Sequence, residues 1–213
     1  MRSTLLLFAA GLLLIASNRT ATAAPIGPMC ATCQGSIYEL LYDPTPVATT
    51  ADSRIFEITL RIDTTGYTGT AVRIDDVAFK VSPSLNGQTL LDAPGGEENW
   101  TALLGGIGAG GCQGNASNGF ACATSNSTSV ATLPFAGVYE WVFHAYLPLD
   151  KSPILPPYTA SIKARYVDAN GNKVGDLVSE SILLDLKPVP EPGTALLLAF
   201  GLAGLARAGS VRR

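Results

Sequence analysis

Apolar and polar residues alternate along most of the chain with a period of two, which is the pattern of a β-strand with one buried face. The longest such runs are 56–63 and 138–147, and shorter ones cover 37–42, 100–104 and 128–133. Glycine, proline and asparagine separate these runs, and no helical period extends over a useful length between them. The pattern predicts an all-β fold, an antiparallel β-sandwich of the immunoglobulin or jelly-roll type.

The run after residue 71 changes phase at two adjacent aspartates. Val72 and Ile74 lie on one parity, whereas the apolar residues of 77–81 lie on the other. One extra residue at Asp75 or Asp76 would return all of them to one face, so the sequence predicts a β-bulge there. We expect the two carboxylates to point to opposite faces, which does not suit paired acid and base chemistry.

The last two strands surround an Asn-Gly turn at 170–171. A two-residue loop would place their apolar residues on opposite faces, so we expect a type I turn from Asp168 with Gly171 in a left-handed conformation. The predicted pairs are residue 168 with 172, Tyr166 with Val174, Ile162 with Val178, and Tyr158 with Ile182. Glu180 then falls opposite Ala160 on the buried face, unless its strand lies at an edge.

Two apolar runs frame the predicted sandwich. Near the start, Arg2 precedes the run 5–16, and an Ala-x-Ala site ends at Ala23. These features are typical of a secretory signal peptide, so we expect signal peptidase to cleave after Ala23. The predicted organisation is a signal helix at 1–23, a β-sandwich domain at 24–187 and a C-terminal segment at 188–213.

The C-terminal segment has three parts in order. They are the triplet Pro190, Glu191 and Pro192, the apolar run 194–206, and a basic end with Arg207, Arg212 and Arg213. The prolines keep the triplet extended and accessible to a protease. The apolar run is shorter than the roughly 17 to 25 residues of a membrane span, and arginines after it favour the cytoplasmic side. A plain membrane anchor is the alternative, but it needs neither the triplet nor this brevity.

This order of triplet, short apolar helix and basic end resembles the PEP-CTERM sorting signal of Gram-negative bacteria. The resemblance implies that an exosortase-type membrane protease cuts near the triplet while the C-terminal helix anchors the chain transiently in the inner membrane. The body would then reach the cell envelope or the extracellular polymer matrix. The body also resembles uncharacterised cargo of such signals, which implies a compact exported β domain and transfers no chemistry.

The charge of the body differs from that of its ends. All 17 acidic residues lie between Glu39 and Glu191, together with nine of the 14 basic residues, so this stretch has a net charge of −8. Such a surface repels nucleic acid and acidic polymers. No basic patch with interleaved aromatic residues is visible in the sequence, so we expect no nucleic-acid partner.

Four cysteines follow the signal segment in two close pairs. Cys112 and Cys122 bracket a segment rich in Gly, Asn and Ser, and we favour a disulfide that closes it. Cys30 and Cys33 form a C-x-x-C without the strand and helix that surround a redox pair. Structural disulfides are expected, either within each pair or crossed between them. Zinc bound by four thiolates is the alternative, which export into an oxidising compartment disfavours.

Other motifs indicate turns and surface positions. The run Gly106–Gly111 matches G-x-G-x-x-G, but no helix follows it, so we expect a flexible loop. The single histidine, His144, should face outward from its strand. Asp168, Asn170 and Asn172 resemble the start of a calcium loop but lack its spacing. The sequence therefore indicates no catalytic residue, no metal site and no cofactor.

Two classes of function fit these observations. We favour a non-catalytic structural or adhesive protein of the cell surface or biofilm matrix, which is not an enzyme. The alternative is a secreted carbohydrate-binding module or polysaccharide hydrolase with extracellular polysaccharide as its partner. Trp100 and the glycine-rich stretch 105–119 would then form the exposed ligand platform, because aromatic rings stack on sugars. A hydrolase would also need two carboxylates about 5 to 9.5 Å apart in a cleft.

Overall fold

The computed structural model describes residues 21–22, 25–43, 45–81, 85–113, 119–126, 137–149, 158–175 and 178–184. Within them the chain forms two antiparallel six-stranded sheets. The strands are β1 (Ala21–Thr22), β2 (Ile37–Tyr42), β3 (Ala48–Thr49), β4 (Ser53–Asp63), β5 (Arg73–Val81), β6 (Gly87–Asp92), β7 (Trp100–Gly108), β8 (Gly111–Gln113), β9 (Phe120–Ser125), β10 (Val138–Pro148), β11 (Tyr158–Val167) and β12 (Val178–Leu184). The first sheet has the order β1-β2-β4-β10-β6, with β3 paired to β4, and the second has the order β12-β11-β5-β9-β7-β8.

The inner faces of the two sheets share one hydrophobic core. Trp141 and Phe143 of β10 contribute to it from the first sheet, and Phe79, Ile162 and Tyr166 contribute from the second. Phe79 and Phe143 meet edge to face, with ring centroids 5.1 Å apart. The predicted all-β antiparallel architecture is confirmed, and the shared core fits a β-sandwich. The predicted C-terminal helix and residues 1–20 of the predicted signal helix lie outside the described residues.

The period of two located most of the strands correctly. β4 and β10 pair along their whole length, and their residues alternate between buried and partly exposed positions. The predicted strands at 37–42 and 100–104 are also present, and the second continues to Gly108. The pattern is informative here because each of these strands has one face toward the core. The predicted run 128–133 lies outside the described residues.

β5 contains the predicted bulge. The pairing of β5 with β11 shifts at Asp75, which is therefore the extra residue. Ile74 and Val77, on either side of the bulge, both belong to the core. Val72 precedes the strand and is 41% exposed, so it does not share that face.

The turn of the last hairpin is the predicted one. The N–H of Gly171 donates to the carbonyl of Asp168 at 3.1 Å, and the N–H of Asp168 donates to the carbonyl of Asn172 at 2.9 Å. Gly171 has a φ of 83°, the left-handed region that glycine adopts without strain. The N–H of Val174 donates to the carbonyl of Tyr166 at 2.8 Å, as the predicted pairing requires.

Beyond the turn, the predicted register is wrong by two residues. β12 pairs Val178 with Ala164, Glu180 with Ile162, Ile182 with Ala160, and Leu184 with Tyr158. The slip occurs between Val174 and Val178, where Gly175 also has a left-handed φ, of 68°. A slip of two residues leaves the same parity on each face, so the hydrophobic pattern contained no signal for it. Glu180 lies on an edge strand, because β12 ends the second sheet.

The two residues of β1 belong to the predicted signal peptide. Ala21 pairs with Tyr42 and Thr22 pairs with Leu41, at the edge of the first sheet. Cleavage after Ala23 would remove this short strand and make β2 the edge. In the described parts of the chain, no helix is long and apolar enough to cross a membrane.

Candidate functional site

Trp100, the predicted ligand platform, is buried. It is only 7% exposed, and its indole N–H donates to the carbonyl oxygen of Pro94 at 2.9 Å. Its ring packs edge to face on Trp141, with centroids 5.4 Å apart. The prediction of an exposed Trp100 is therefore wrong, because the residue opens a strand whose face turns toward the core.

The glycine-rich stretch expected to form a flexible loop is instead the end of β7 followed by β8. Gly106–Gly108 pairs with Gly111–Gln113 in a tight hairpin. Ile107 packs against Cys122 in a small apolar cluster separate from the main core. The expected exposed platform is therefore wrong for this part of the stretch, and residues 114–118 lie outside the described chain.

Disulfides close both cysteine pairs. Cys112 of β8 and Cys122 of β9 are joined at an S–S distance of 2.04 Å, as predicted, which fixes the β7–β8 hairpin to the sheet. Cys30 is joined to Cys33, so the two pairs are not crossed. No cysteine of the described chain is free, and a sulfur in a disulfide is not the thiolate that zinc requires.

A buried ion cluster lies beneath the same hairpin. The Nε of Arg165 lies 3.0 Å from a carboxylate oxygen of Asp75 and 3.0 Å from one of Asp76. Its Nη1 donates to the carbonyl of Ala109 at 3.1 Å. The N–H of Cys112 donates to the Asp76 carboxylate at 2.9 Å. The expectation that the two aspartates face opposite ways is therefore wrong, because the bulge turns both toward one guanidinium.

The electrostatics of this cluster follow from its burial. Burial raises the pKa of the Asp75 carboxyl above its ordinary value, while the hydrogen bond from Arg165 opposes the rise and the charge of Asp76 adds to it. The hydrogen bond to Asp75 raises the pKa of Arg165, which keeps the guanidinium charged. Sequence reasoning missed Arg165 because it lies 90 positions from Asp75. The carboxylates are occupied by internal donors, which is the arrangement of a structural ion cluster.

A cluster of tyrosines lies in the core near the N-terminal cysteines. The hydroxyls of Tyr38 and Tyr166 hydrogen-bond to each other, and Tyr166 donates to Oγ of Ser36 at 3.1 Å. Tyr67 stacks on Tyr166 with centroids 5.1 Å apart. Burial raises the pKa of Tyr166 to about 12 and also raises that of Tyr38, so both phenols stay protonated at neutral pH. Cys33 is fully buried and belongs to the same core.

The remaining polar candidates occupy surface positions. His144 is half-buried on β10 and pairs with Glu57 of β4 and Thr89 of β6. The Asp168 carboxylate accepts the backbone N–H of Asn172 at 2.9 Å, which lowers its pKa and commits it to the turn. Among the described residues, no three His, Cys, Asp or Glu side chains form a group that could hold a metal ion.

A small apolar pocket lies between the sheets, at the end where β4 begins and β10 ends. Its lining residues are Leu40, Tyr42, Asp43, Phe56, Ile58, Val81 and Leu147. The pocket encloses about 10 Å³, which is room for about one water molecule. Pockets that bind small molecules measure roughly 300 to 1,000 Å³, so this space is a packing gap.

The body is therefore a disulfide-closed β domain of the kind that folds in an oxidising compartment. The sequence model of the PEP-CTERM protein-sorting motif matches residues 188–213, so the chain carries this motif at its C-terminus. The match supports an exported, envelope-associated protein that is a substrate of exosortase, a membrane protein. No curated protein matches the chain in sequence. The matched segment contains the predicted triplet and basic end, and it lies outside the described structure.

Proposed function

We propose that this protein is a non-catalytic structural or adhesive component of the cell surface or extracellular polymer matrix, delivered there by exosortase. Signal peptidase removes residues 1–23, and the C-terminal helix holds the chain transiently in the inner membrane. Exosortase then cuts near Pro190–Pro192. The observation that carries the proposal is the sorting-motif match at 188–213. The body acts as a β-sandwich of the immunoglobulin or jelly-roll type.

The construction of the body supports a role as a durable scaffold. Two disulfides join cysteines that are three and ten residues apart in sequence. The bridge from Cys112 to Cys122 contributes roughly 2 to 3 kcal/mol to stability by the loop-closure relation. The buried carboxylates of Asp75 and Asp76 on β5 are bound by Arg165 of β11 and by a backbone N–H of the β7–β8 hairpin. We expect a domain with these features to stay folded outside the cell, where no chaperone refolds it.

The carbohydrate-binding and hydrolase alternative has less support. Trp100 is buried, so it offers no surface on which a sugar could stack. The side chains of Asp75 and Asp76 are buried, and Arg165 holds both of them. A glycosidase holds its two carboxylates roughly 5 to 9.5 Å apart and open to substrate. We therefore propose a protein without catalytic activity.

Intact-mass measurement tests the sorting step. Protein recovered from the surface of an exosortase-producing cell should begin at Ala24 and lack residues 194–213. A control chain with alanines in place of Pro190, Glu191 and Pro192 should retain its tail and stay with the membrane fraction. Detection of Arg213 on the surface-released parent chain would contradict the proposal.

Fractionation and an activity assay test the role of the delivered body. A matrix component should co-purify with the extracellular polymer, and deletion of its gene should weaken the matrix without changing polymer chain length. Release of reducing sugar from that polymer by the purified protein would instead support the hydrolase alternative.

A further inference from the structure

Two lysines form a basic patch on the outer face of the second sheet. Lys80 lies on β5 and Lys163 on β11, and both are half-buried. Their ammonium groups lie 5.7 and 5.2 Å from the ring centroid of Phe120 on β9. We name this group of three residues the lysine patch.

The pairing of the strands fixes the spacing within the lysine patch. Lys80 pairs with Ser161, and Lys163 pairs with Ala78, so the two lysines are diagonal neighbours on one face. Diagonal neighbours in an antiparallel pair lie roughly 7 to 8 Å apart. Phe120 is only 6% exposed, which shows that the lysine stems and the adjacent hairpin cover its ring. Both positive charges are therefore held close together above an apolar base.

The two ammonium groups have no acidic partner in the described structure. Two arginines of the sheets, by contrast, have acidic partners. Arg61 contacts Glu39 and Glu140, and Arg165 contacts both aspartates of the bulge. No salt bridge to Lys80 or Lys163 occurs among the described residues. In the strand register the nearest acids are Asp75 and Asp76, both held by Arg165, and the stretches 81–85, 114–119 and 159–164 contain no Asp or Glu. The patch is thus a local excess of positive charge on a body whose net charge is negative.

We infer that the lysine patch binds the carboxylate groups of an acidic extracellular polysaccharide. The inference rests on the proposed delivery to the polymer matrix and names the ligand class of the matrix protein. Charge complementarity favours this occupant, because two ammoniums at this spacing can contact carboxylates that recur along one polymer chain. The Debye length is about 8 Å at physiological salt. Repulsion between the polymer and the more distant acids of the body is therefore screened, while direct contacts between the lysines and the polymer carboxylates are not. The net charge alone, which predicted repulsion of acidic polymers, does not describe this face.

A binding measurement with alginate, a polyuronate, tests the inference, and neutral dextran is the matched polymer. The protein is the chain recovered from the cell surface or envelope, at about 0.15 M salt, the regime in which direct contacts dominate. The parent should bind alginate but not dextran, and binding should weaken at higher salt. Each exposed ion pair contributes roughly 1.5- to 5-fold to affinity, so K80Q/K163Q should bind alginate roughly five- to tenfold more weakly.

Three comparisons separate binding from structural effects. The variant K80R/K163R keeps both charges and both stems, so it should bind alginate within about twofold of the parent, by the same ion-pair range. K173Q removes a lysine from the distant hairpin turn and should bind like the parent. Thermal melts should show that K80Q/K163Q remains folded. If K80Q/K163Q is unfolded, K80R/K163R still tests the inference. Loss of alginate binding by this variant, which keeps both positive charges, would contradict a role for charge.

Several results would overturn the inference. These are absence of alginate binding by the parent, equal binding of alginate and dextran, or full affinity in K80Q/K163Q. Binding to vesicles of anionic lipid, with none to alginate, would identify a membrane partner instead and would also overturn it. The measurement is made in vitro, so a failure of exosortase sorting leaves its result unchanged and the two failures remain distinguishable.

Discussion

Replacement of Arg165 by methionine is the most direct perturbation of the described fold. Methionine keeps a long flexible stem but removes the cation that Asp75 and Asp76 share. The Arg165 side chain is 12% exposed and the Asp76 side chain 1% exposed, so water cannot readily replace the lost contacts. The substitution also leaves the carbonyl of Ala109, in the β7–β8 hairpin, without its donor.

The expected loss of stability is large. Removing one partner of a buried ion pair costs about 3 to 5 kcal/mol, because the other charge stays buried and uncompensated. In a domain of roughly 150 residues, each kcal/mol lowers Tm by about 2 to 4 °C. Arg165→Met should therefore lower Tm by roughly 6 to 20 °C at neutral pH. The matched control is Arg61→Met, whose more exposed ion pairs predict a loss below about 1 kcal/mol.

The loss should depend on pH in a definite direction. The pKa of Asp75 is already raised in the folded protein by burial, so its charged form opposes folding above that pKa and the opposition disappears as pH falls. Arg165→Met removes the hydrogen bond that holds this pKa down. The variant should therefore be most destabilised near pH 8, and the difference from the parent should shrink as the Asp75 carboxyl protonates on lowering the pH to 5.

Urea unfolding of the parent, Arg165→Met and Arg61→Met at pH 8 and pH 5 measures these effects. A loss below about 1 kcal/mol for Arg165→Met would show that the cluster does not stabilise the fold. A large loss that is the same at both pH values would also refute the reasoning, because it would arise from packing and not from stranded carboxylates.

Three further predictions concern the disulfides and the last hairpin. Cys122→Ser should lower the free energy of unfolding by roughly 2 to 3 kcal/mol in urea melts under oxidising conditions, and the difference should disappear with reductant. Peptide mapping of the parent without reductant should give the linked pairs Cys30–Cys33 and Cys112–Cys122, and four free thiols would contradict the assignment. Gly171→Ala should cost about 1 kcal/mol, because a side chain strains the φ of 83°, whereas Gly171→Asn should cost less in the same melts.

Local patterns of the sequence predicted the parts of the fold that depend on one strand at a time. The alternation of β4 and β10 and the phase change at Asp75 are visible within a few residues, and both were located correctly. The turn at Gly171 was found for the same reason, since its geometry depends on adjacent residues. The slip before β12 escaped prediction because a shift of two residues changes no face, and among the described residues of the slip only Gly175, with its left-handed φ, marks it.

Composition misled where it was used in place of pattern. The glycines before Cys112 indicated a flexible loop, yet they form a hairpin that a disulfide and the carbonyl of Ala109 attach to the sheet. Trp100 was expected on the surface because aromatic rings stack on sugars. Trp100 packs across the core on Trp141, 41 positions later, and no feature of the nearby sequence predicts that contact.

The bulge at Asp75 determines the neighbours of both basic groups on β11. With the extra residue in place, Tyr166 and Ala164 keep their side chains in the core opposite β5. The intervening residues then align on the outer face, where Arg165 meets Asp76 and Lys163 becomes the diagonal neighbour of Lys80. One residue fewer would reverse the parity on one side of the bulge and separate Arg165 from its acids. The same local irregularity therefore closes the ion cluster beneath the hairpin and makes Lys80 a diagonal neighbour of Lys163, while Asp76, the other diagonal neighbour of Lys163, is bound by Arg165.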